Sequence, residues 1–311
     1  MSALNVLLNG LIDYAGLFPP AAVEMPEAVL HYAACRQGPR SSMLGSFVVP
    51  VSRLDEFDRA FTALSRGEKS PPAWKLSALV GEEVDADLAA ATAYGASAGP
   101  VHRAVIDSIE MTAGAPADVE RTVGVLLLRI RVAFEIPPGL GRAERWSVLS
   151  AVKNAARMAK LRTGGLTPSA IPSPAQVAEF IWDCARARVP FKATAGLHHP
   201  IRGEHRLTYA TDSPSAVMHG FLNVFVGAAV AWSLAADGGM ALSADVPLDV
   251  LAIIDERDAA CFTLGADRIR WRDIDVPLAA IERARADFAR SFGSCSFDEP
   301  VSDLNALGWL R

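Results

Sequence analysis

The chain has 311 residues, a hydrophobic fraction of 51%, 21% charged residues and a formal net charge of −5. This composition is typical of a globular protein with a large core, in one large domain or two ordinary ones. The acidic balance, without a basic block or stripe, argues against a nucleic-acid partner. Four scattered cysteines without a CxxC pair indicate reduced thiols.

Short β-prone segments alternate along the chain with segments of helical period. The predicted strands lie at 10–18, 43–50, 74–80, 101–109, 129–136, 158–163, 189–195 and 267–271. The predicted helices lie at 52–65, 84–94, 116–127, 142–156 and 174–187. Strict alternation implies a parallel sheet with outer helices, and eight units fit a (β/α)8 TIM barrel formed by residues 1–311 as a single domain. A doubly wound open sheet is the structural alternative.

Three local signals complete this outline. The segment at roughly 198–260 breaks the alternation and is predicted to be an extra helical insertion. Its apolar stretch 220–236 is slightly short for a bilayer and contains Asn223, so we expect a buried helix and no membrane partner.

The opening MSALNVLLNG lacks the charged region and cleavage pattern of a signal peptide, and a cytoplasmic location is expected. Ser173 can cap the helix at 174–187.

The fifth, sixth and seventh predicted strands direct charged side chains into the barrel. In RIRVAFEI the large apolar residues share the face that packs on outer helices, so Glu135 points inward at the carboxyl-terminal end. The same alternation groups Lys160 with Arg162 and Lys192 with Thr194. Barrel enzymes carry their active sites at this end, so two successive strands direct lysines into one predicted site.

Two neighbouring buried lysines suit covalent chemistry on a carbonyl group. A buried ammonium is costly unless it is paired, and two ammonium groups repel, which favours loss of a proton from one of them. A neutral lysine amine can form a Schiff base. The structural alternative is that Lys160 and Lys192 only pair with Glu135 and Asp107 in a buried ionic cluster.

The lysine motifs resemble those of the deoxyribose-phosphate aldolase family, class I aldolases on a (β/α)8 barrel. KLRTG is similar to the family's Schiff-base strand and puts Lys160 in the nucleophile's position, while FKATAG supplies a second lysine, Lys192, which acidifies the first in that family. VAFEIPP, AVIDS and LIDYAG resemble its acidic segments. The resemblance covers about half of the chain and implies proton transfer by Glu135 and Asp107, with Asp13 positioning water or a partner group, and no cofactor.

Two departures from the family's pattern bear on the substrate. The loop after the seventh strand is longer here, and LGADRIRW puts Asp267 where the family's Gly-Ala-Ser-Ser turn binds phosphate through backbone N–H groups. The expected substrate is therefore a small anionic or hydroxylated carbonyl compound, not a sugar phosphate. The predicted substrate-binding residues are Arg162, Thr194, His198, His199 and Arg202. DYAGLFPPA and FKATAGLHHP are also similar to segments of bacterial proteins without an assigned function.

The leading hypothesis is an aldolase-like, Schiff-base-forming lyase without a bound metal. One alternative is a metal-assisted hydrolase using the loop of His198 and His199, although adjacent histidines on an extended chain point apart. The other is a non-catalytic barrel that binds an anion through Lys160, Arg162 and Lys192. A homo-oligomer is compatible with the sequence, which does not specify an oligomeric state.

Overall fold

The computed structural model describes residues 2–64, 73–97, 104–123, 130–236 and 245–310. The strands are β1 (Ile12–Tyr14), β2 (Leu44–Pro50), β3 (Trp74–Leu79), β4 (Ala104–Thr112), β5 (Arg131–Glu135), β6 (Met158–Arg162), β7 (Phe191–Thr194), β8 (Gly203–Arg206), β9 (Ser215–Met218), β10 (Phe262–Leu264), β11 (Arg268–Trp271), β12 (Ile274–Pro277) and β13 (Ala289–Ser294). The α-helices are α1 (Ala3–Leu8), α2 (Met25–Gln37), α3 (Leu54–Leu64), α4 (Val84–Ser97), α5 (Pro116–Val123), α6 (Arg142–Asn154), α7 (Pro174–Ala187), α8 (Phe221–Ala236), α9 (Leu248–Asp255), α10 (Leu278–Asp287) and α11 (Asp298–Ala306).

Eight parallel strands close into a barrel in the order β1-β13-β7-β6-β5-β4-β3-β2. Helices alternate with these strands, so the predicted (β/α)8 TIM barrel is confirmed. The alternation of side chains along β5 shows how the sequence specifies the two faces of the barrel wall. Val132 and Phe134 belong to the buried core, while Glu135 makes ion pairs inside the barrel. Larger apolar side chains thus fill the space under the helices and leave the barrel interior to smaller and charged ones.

The eighth barrel strand is β13, not the predicted segment 267–271. That segment contains β11, the central strand of an antiparallel sheet with β10 and β12. In β11 Arg268 and Arg270 are exposed and Ile269 and Trp271 are buried, which is the one-sided pattern of an antiparallel sheet facing solvent. Asp267 therefore does not follow a barrel strand, and the substrate argument built on a phosphate site at Asp267 is wrong.

The connection from β7 to β13 occupies residues 195–288, so it is longer than the predicted insertion. It holds the hairpin β8–β9, helices α8 to α10 and the sheet β10–β12. Helix α8 is buried on nearly all sides, as predicted. The Asn223 side chain accepts a hydrogen bond from the Arg202 N–H and donates to the carbonyls of Ile253 and Glu256, which satisfies its amide inside the core. Within the described ranges, none of the helices combines the length and apolar character that crossing a bilayer requires.

Most of the predicted elements occur within a few residues of their expected bounds, and α7 matches its prediction of 174–187. Strand β1 is shorter than the predicted 10–18. Strand β4 continues to Thr112, three residues beyond the predicted 101–109, and this extension brings Glu110 into the barrel. Parts of the predicted elements fall outside the described residues, at 65, 101–103, 124–127, 129 and 237–244.

Helix α7 begins with the predicted cap. Ser173 Oγ accepts a hydrogen bond from the Gln176 N–H at 3.2 Å, and Gln176 Oε1 accepts one from the Ser173 N–H at 2.8 Å. We expect Ser173→Ala to lower the free energy of unfolding by about 1 kcal/mol, because the Gln176 N–H loses its hydrogen-bond acceptor. Urea denaturation measures the difference. Ser150→Ala, inside α6, is the control, and an equal effect of the two substitutions would contradict a capping role.

Candidate functional site

Three charged residues lie side by side on neighbouring strands of the barrel. Glu135 on β5 is paired in register with Lys160 on β6, and Lys160 is paired with Lys192 on β7. Each lysine is only 3% exposed. The three residues are therefore neighbours on the barrel wall, but Lys192 does not line the cavity that Lys160 lines, so the three do not share one pocket as predicted.

Glu110, which the sequence analysis did not select, lies between the two lysines. Its Oε2 is 2.9 Å from Lys160 Nζ, and its Oε1 accepts a hydrogen bond from Lys192 Nζ at 2.5 Å. Ser77 Oγ donates to the same Oε1, and Ser108 Oγ donates to Ser77 Oγ. The carboxylate of Glu110 therefore lies between the two ammonium groups and is shared by them.

The outer side of Lys160 is paired with Glu135. Lys160 Nζ lies 2.9 Å from Glu135 Oε2, and Arg162 Nε donates to Glu135 Oε1 at 2.7 Å. Lys160 is therefore held between two carboxylates, one deep in the barrel and one near its rim.

Asp13 holds the other lysine. Lys192 Nζ donates to Asp13 Oδ2 at 2.7 Å, as does Ser291 Oγ, and Asp13 Oδ1 accepts a hydrogen bond from the Ser46 N–H. The complete ionic cluster comprises Asp13, Glu110, Glu135, Lys160, Arg162 and Lys192. Three carboxylates match three cations, so the cluster carries no net charge when every group is ionised.

In this cluster, ion pairing affects the pKa values of the buried groups more strongly than burial does. Burial opposes ionisation of Glu110, but the two lysine ammonium groups outweigh it and hold the pKa of Glu110 well below its usual range. Burial likewise opposes ionisation of Glu135, and Lys160 and Arg162 lower its pKa. Burial alone would lower the pKa of Lys192, yet Asp13 and Glu110 raise it. Lys192 is therefore a permanent cation near neutral pH.

Lys160 lines a cavity of about 310 Å³ at the carboxyl-terminal end of the barrel, which we call the mouth. Glu110, Arg162, Thr194 and His198 also line the mouth. Much of the remaining wall is apolar and includes Phe18, Leu79, Leu166 and Met218. Lys192 lines a different cavity, at the opposite end of the barrel. Of the two lysines, Lys160 is thus the one that a molecule in the mouth can contact.

Asp107, the predicted mid-barrel acid, does not join the cluster. The register between β3 and β4 skips this residue, because Leu76 pairs with Ile106 and Ser77 pairs with Ser108. Asp107 is half-buried and forms an ion pair with Arg131. Side chains alternate between the two faces of β4, so Ser108 and Glu110 lie on the face opposite Ile109. With the strand continued to Thr112, this alternation identifies Glu110 as an inward-pointing residue.

The two adjacent histidines of the predicted loop each pair with a different carboxylate. His198 Nδ1 lies 2.9 Å from Glu299 Oε2 and the residue lines the mouth, whereas His199 Nδ1 lies 2.6 Å from Asp303 Oδ2. The two rings are 6.3 Å apart, and that of His199 stacks on His205. His198 is therefore placed to contact a molecule in the mouth.

Arg202 lies away from the mouth. Its Nη1 is 3.1 Å from Asp255 Oδ1 at the end of α9, and its backbone N–H donates to Asn223 on α8. Among the described residues, the group able to supply three metal ligands is His31, Cys35 and Asp298, whose ligand atoms lie within 4.8 Å of one another. This group joins α2 to the start of α11 and includes none of the predicted site residues.

We expect His198 to stay protonated well above neutral pH. Burial favours the neutral ring, but Cys295 and Glu299 outweigh it and raise the pKa of His198 to about 9. Because the folded value exceeds the unfolded value near 6.5, this stabilisation is complete below pH 6.5 and is lost as the pH rises through 9. Glu299→Gln should lower the value by about one unit or more.

Histidine NMR titration measures this shift. His205 is the internal control, because burial and the neighbouring His199 lower its pKa to about 4. A His198 resonance that titrates near 6.5 in both the wild type and Glu299→Gln would contradict the prediction.

Comparison with known proteins supplies no family for this chain. No protein-family model matches it, and no curated protein matches its sequence.

Proposed function

We propose that this protein is an aldolase-like lyase that forms a Schiff base between Lys160 and a small carbonyl compound. The observation that carries the proposal is the environment of Lys160. It is a buried amine that lines the mouth and lies 2.9 Å from both Glu110 and Glu135. The resemblance of KLRTG and FKATAG to the lysine strands of deoxyribose-phosphate aldolases supports the same assignment.

Imine formation begins with proton transfer from the Lys160 ammonium to Glu135. The amine then attacks the carbonyl carbon, and the C=O electron pair moves to oxygen, which takes up two protons, one from Glu135 and one from the attacking nitrogen, and leaves as water. The ammonium and the carbonyl thus yield an iminium ion and one water molecule. Glu135 is the proposed acceptor because its Oε2 lies 2.9 Å from Lys160 Nζ, within reach of direct proton transfer.

Carbon–carbon cleavage follows from the positive iminium nitrogen. A carboxylate takes the proton of a hydroxyl on the β-carbon, the bond between the α- and β-carbons breaks, and its electron pair forms an enamine with the iminium. Protonation of the enamine carbon and hydrolysis then release the second product and Lys160. We assign proton transfer to Glu110 and Glu135, because Asp107 is occupied by Arg131 outside the cluster.

Lys192 and Asp13 act as positioning residues in this proposal. Lys192 holds one oxygen of Glu110, and Asp13 keeps Lys192 charged and in place. Arg162, Thr194 and His198 are the proposed substrate contacts, since all three line the mouth. A cavity of about 310 Å³ suits a small carbonyl compound.

Neither alternative has a comparable observation in its favour. A metal-dependent hydrolase would need His198 and His199 to converge, but each is paired with its own carboxylate. An anion-binding mouth would need excess positive charge, but Lys160, Arg162 and Lys192 are matched by carboxylates. Borohydride trapping of an imine on Lys160, followed by peptide mass mapping, tests the proposal.

A further inference from the structure

A second cavity, of about 480 Å³, lies at the amino-terminal end of the barrel strands. We call it the basal cavity. Its wall includes residues at the beginning of several strands, among them Leu44, Arg131 and Met158. The ionic cluster separates it from the mouth, because Lys192 and Asp13 line the basal cavity while Glu110 and Lys160 line the mouth.

Positive charge is concentrated around the basal cavity. The residues that line the cavity include the carboxylate Asp13. Asp107 forms an ion pair with Arg131, another lining residue. The lining cations are Arg36, Lys75, Arg131, Lys192, Arg285 and Arg290. Six cations against these two carboxylates and Asp287, whose charge acts on Arg290, leave an excess of positive charge, although the whole chain has a net charge of −5. The mouth, in contrast, has a balanced cluster.

Several of these cations lack an anionic partner. Lys75, Arg285 and Arg290 form no ion pair with any described residue. The Nε atoms of Arg285 and Arg290 are buried, and no described group accepts a hydrogen bond from them. Their remaining hydrogen bonds go to backbone carbonyls, which carry no full charge. Buried donors without an acceptor are costly, so an acceptor entering the cavity would stabilise this end of the barrel.

Mutual repulsion adds to this cost. Burial and the neighbouring Arg290 lower the pKa of Arg285 to about 10. Burial and Arg131 likewise lower the pKa of Arg290. Asp13 near Arg285 and Asp287 near Arg290 offset part of this effect, and a negative ligand would reduce the remaining repulsion.

We propose that the basal cavity binds a compact multivalent anion, such as a phosphate ester or a polycarboxylate, between Lys75, Arg285 and Arg290. Phosphate and carboxylate share the chemistry that guanidinium groups recognise, namely several oxygen acceptors with full negative charge. The volume is in the range of small-molecule sites. The inference does not depend on imine chemistry at Lys160, because the two cavities open at opposite ends of the barrel.

Calorimetric titration of the full chain with inorganic pyrophosphate and, separately, citrate tests the proposal. We expect saturable binding of one or both anions, and the tighter one identifies the phosphate or the carboxylate class. Arg290→Met and Lys75→Met should each weaken binding about tenfold or more, because each removes a charged hydrogen-bond donor. Both variants should retain a cooperative unfolding transition, since Arg290→Met relieves repulsion with Arg285 and Lys75 is exposed.

Arg270→Met is the matched control. Arg270 is an exposed residue of β11 that pairs with Asp275, and its loss should leave anion binding unchanged. Sodium chloride at equal ionic strength controls for screening. Absence of saturable binding, an equal effect of sodium chloride, or equal affinity in the wild type, Arg290→Met and Lys75→Met would each overturn the proposal.

Discussion

Sodium borohydride, added with a small aldehyde or ketone, is expected to fix a reduced adduct on Lys160. Reduction converts the imine to a stable secondary amine, so peptide mass mapping identifies the labelled lysine. Acetaldehyde, acetone, pyruvate and glyceraldehyde form a suitable first panel, because they vary in charge and hydroxylation within the size of the mouth. Adduct formation on Lys160 should exceed that on the exposed lysines, since the mouth holds the carbonyl compound beside Lys160 and Glu135 lies 2.9 Å from its Nζ.

Substitutions distinguish this reaction from general amine labelling. Lys160→Arg should reduce the adduct to background, whereas Lys153→Arg on α6 should leave it unchanged. Lys192→Met should weaken labelling at neutral pH, because Glu110 would then bind the Lys160 ammonium alone and favour the protonated form. Labelling of Lys192 in place of Lys160 would show that the roles are assigned wrongly. No adduct with any carbonyl compound would leave the buried ionic cluster as the better account.

Glu110→Gln should cause the largest loss of stability among single substitutions in the site. It removes the charge that two buried ammonium groups share, and breaking a buried ion pair typically costs about 3–5 kcal/mol. Chemical denaturation at pH 7 measures the loss. Glu56→Gln is the control, because Glu56 forms a partly exposed pair with Arg53 that should contribute about 1 kcal/mol or less.

The stabilisation by Glu110 should also depend on pH. Because the folded pKa of Glu110 is depressed, its contribution is complete above the unfolded value near 4.3 and is lost as the pH falls towards the folded value. The difference between wild type and Glu110→Gln should therefore be greatest near pH 7 and shrink below about pH 4. The double substitution Glu110→Gln/Lys160→Met should recover part of the stability. Equal stabilities of Glu110→Gln and Glu56→Gln would contradict this picture.

Sequence periodicity was sufficient to predict the barrel and the adjacent positions of Glu135, Lys160 and Lys192 on neighbouring strands, but not that Lys192 lines the opposite cavity. Alternation along a strand assigns each side chain to a face, and parallel strands bring their carboxyl-terminal ends to one edge. These are local rules that need no knowledge of the distant chain. For the same reason the start of α7 at Ser173 was predictable, because a cap depends on neighbouring residues.

The partner of both lysines was not predictable in this way. Asp107 and Glu110 are three residues apart on one strand, and the register irregularity between β3 and β4 leaves Asp107 outside the cluster. The eighth strand was missed for a related reason. ARSFGS has little β-branched or apolar character, and its place is decided by pairing with β7 and β1 on either side.

The sequence by itself thus determined the fold class and the lysine pair, because both follow from periodicity within short segments. Only the tertiary structure decided that Glu110 joins the two lysines, that Arg202 lies beside Asp255 and that Lys75, Arg285 and Arg290 surround a second cavity. Lys75 and Arg290 are far apart in the chain and line the same cavity because the barrel closes. Charges of this kind carry no periodic signal, and their positions follow from strand order and register, which are properties of the closed sheet as a whole.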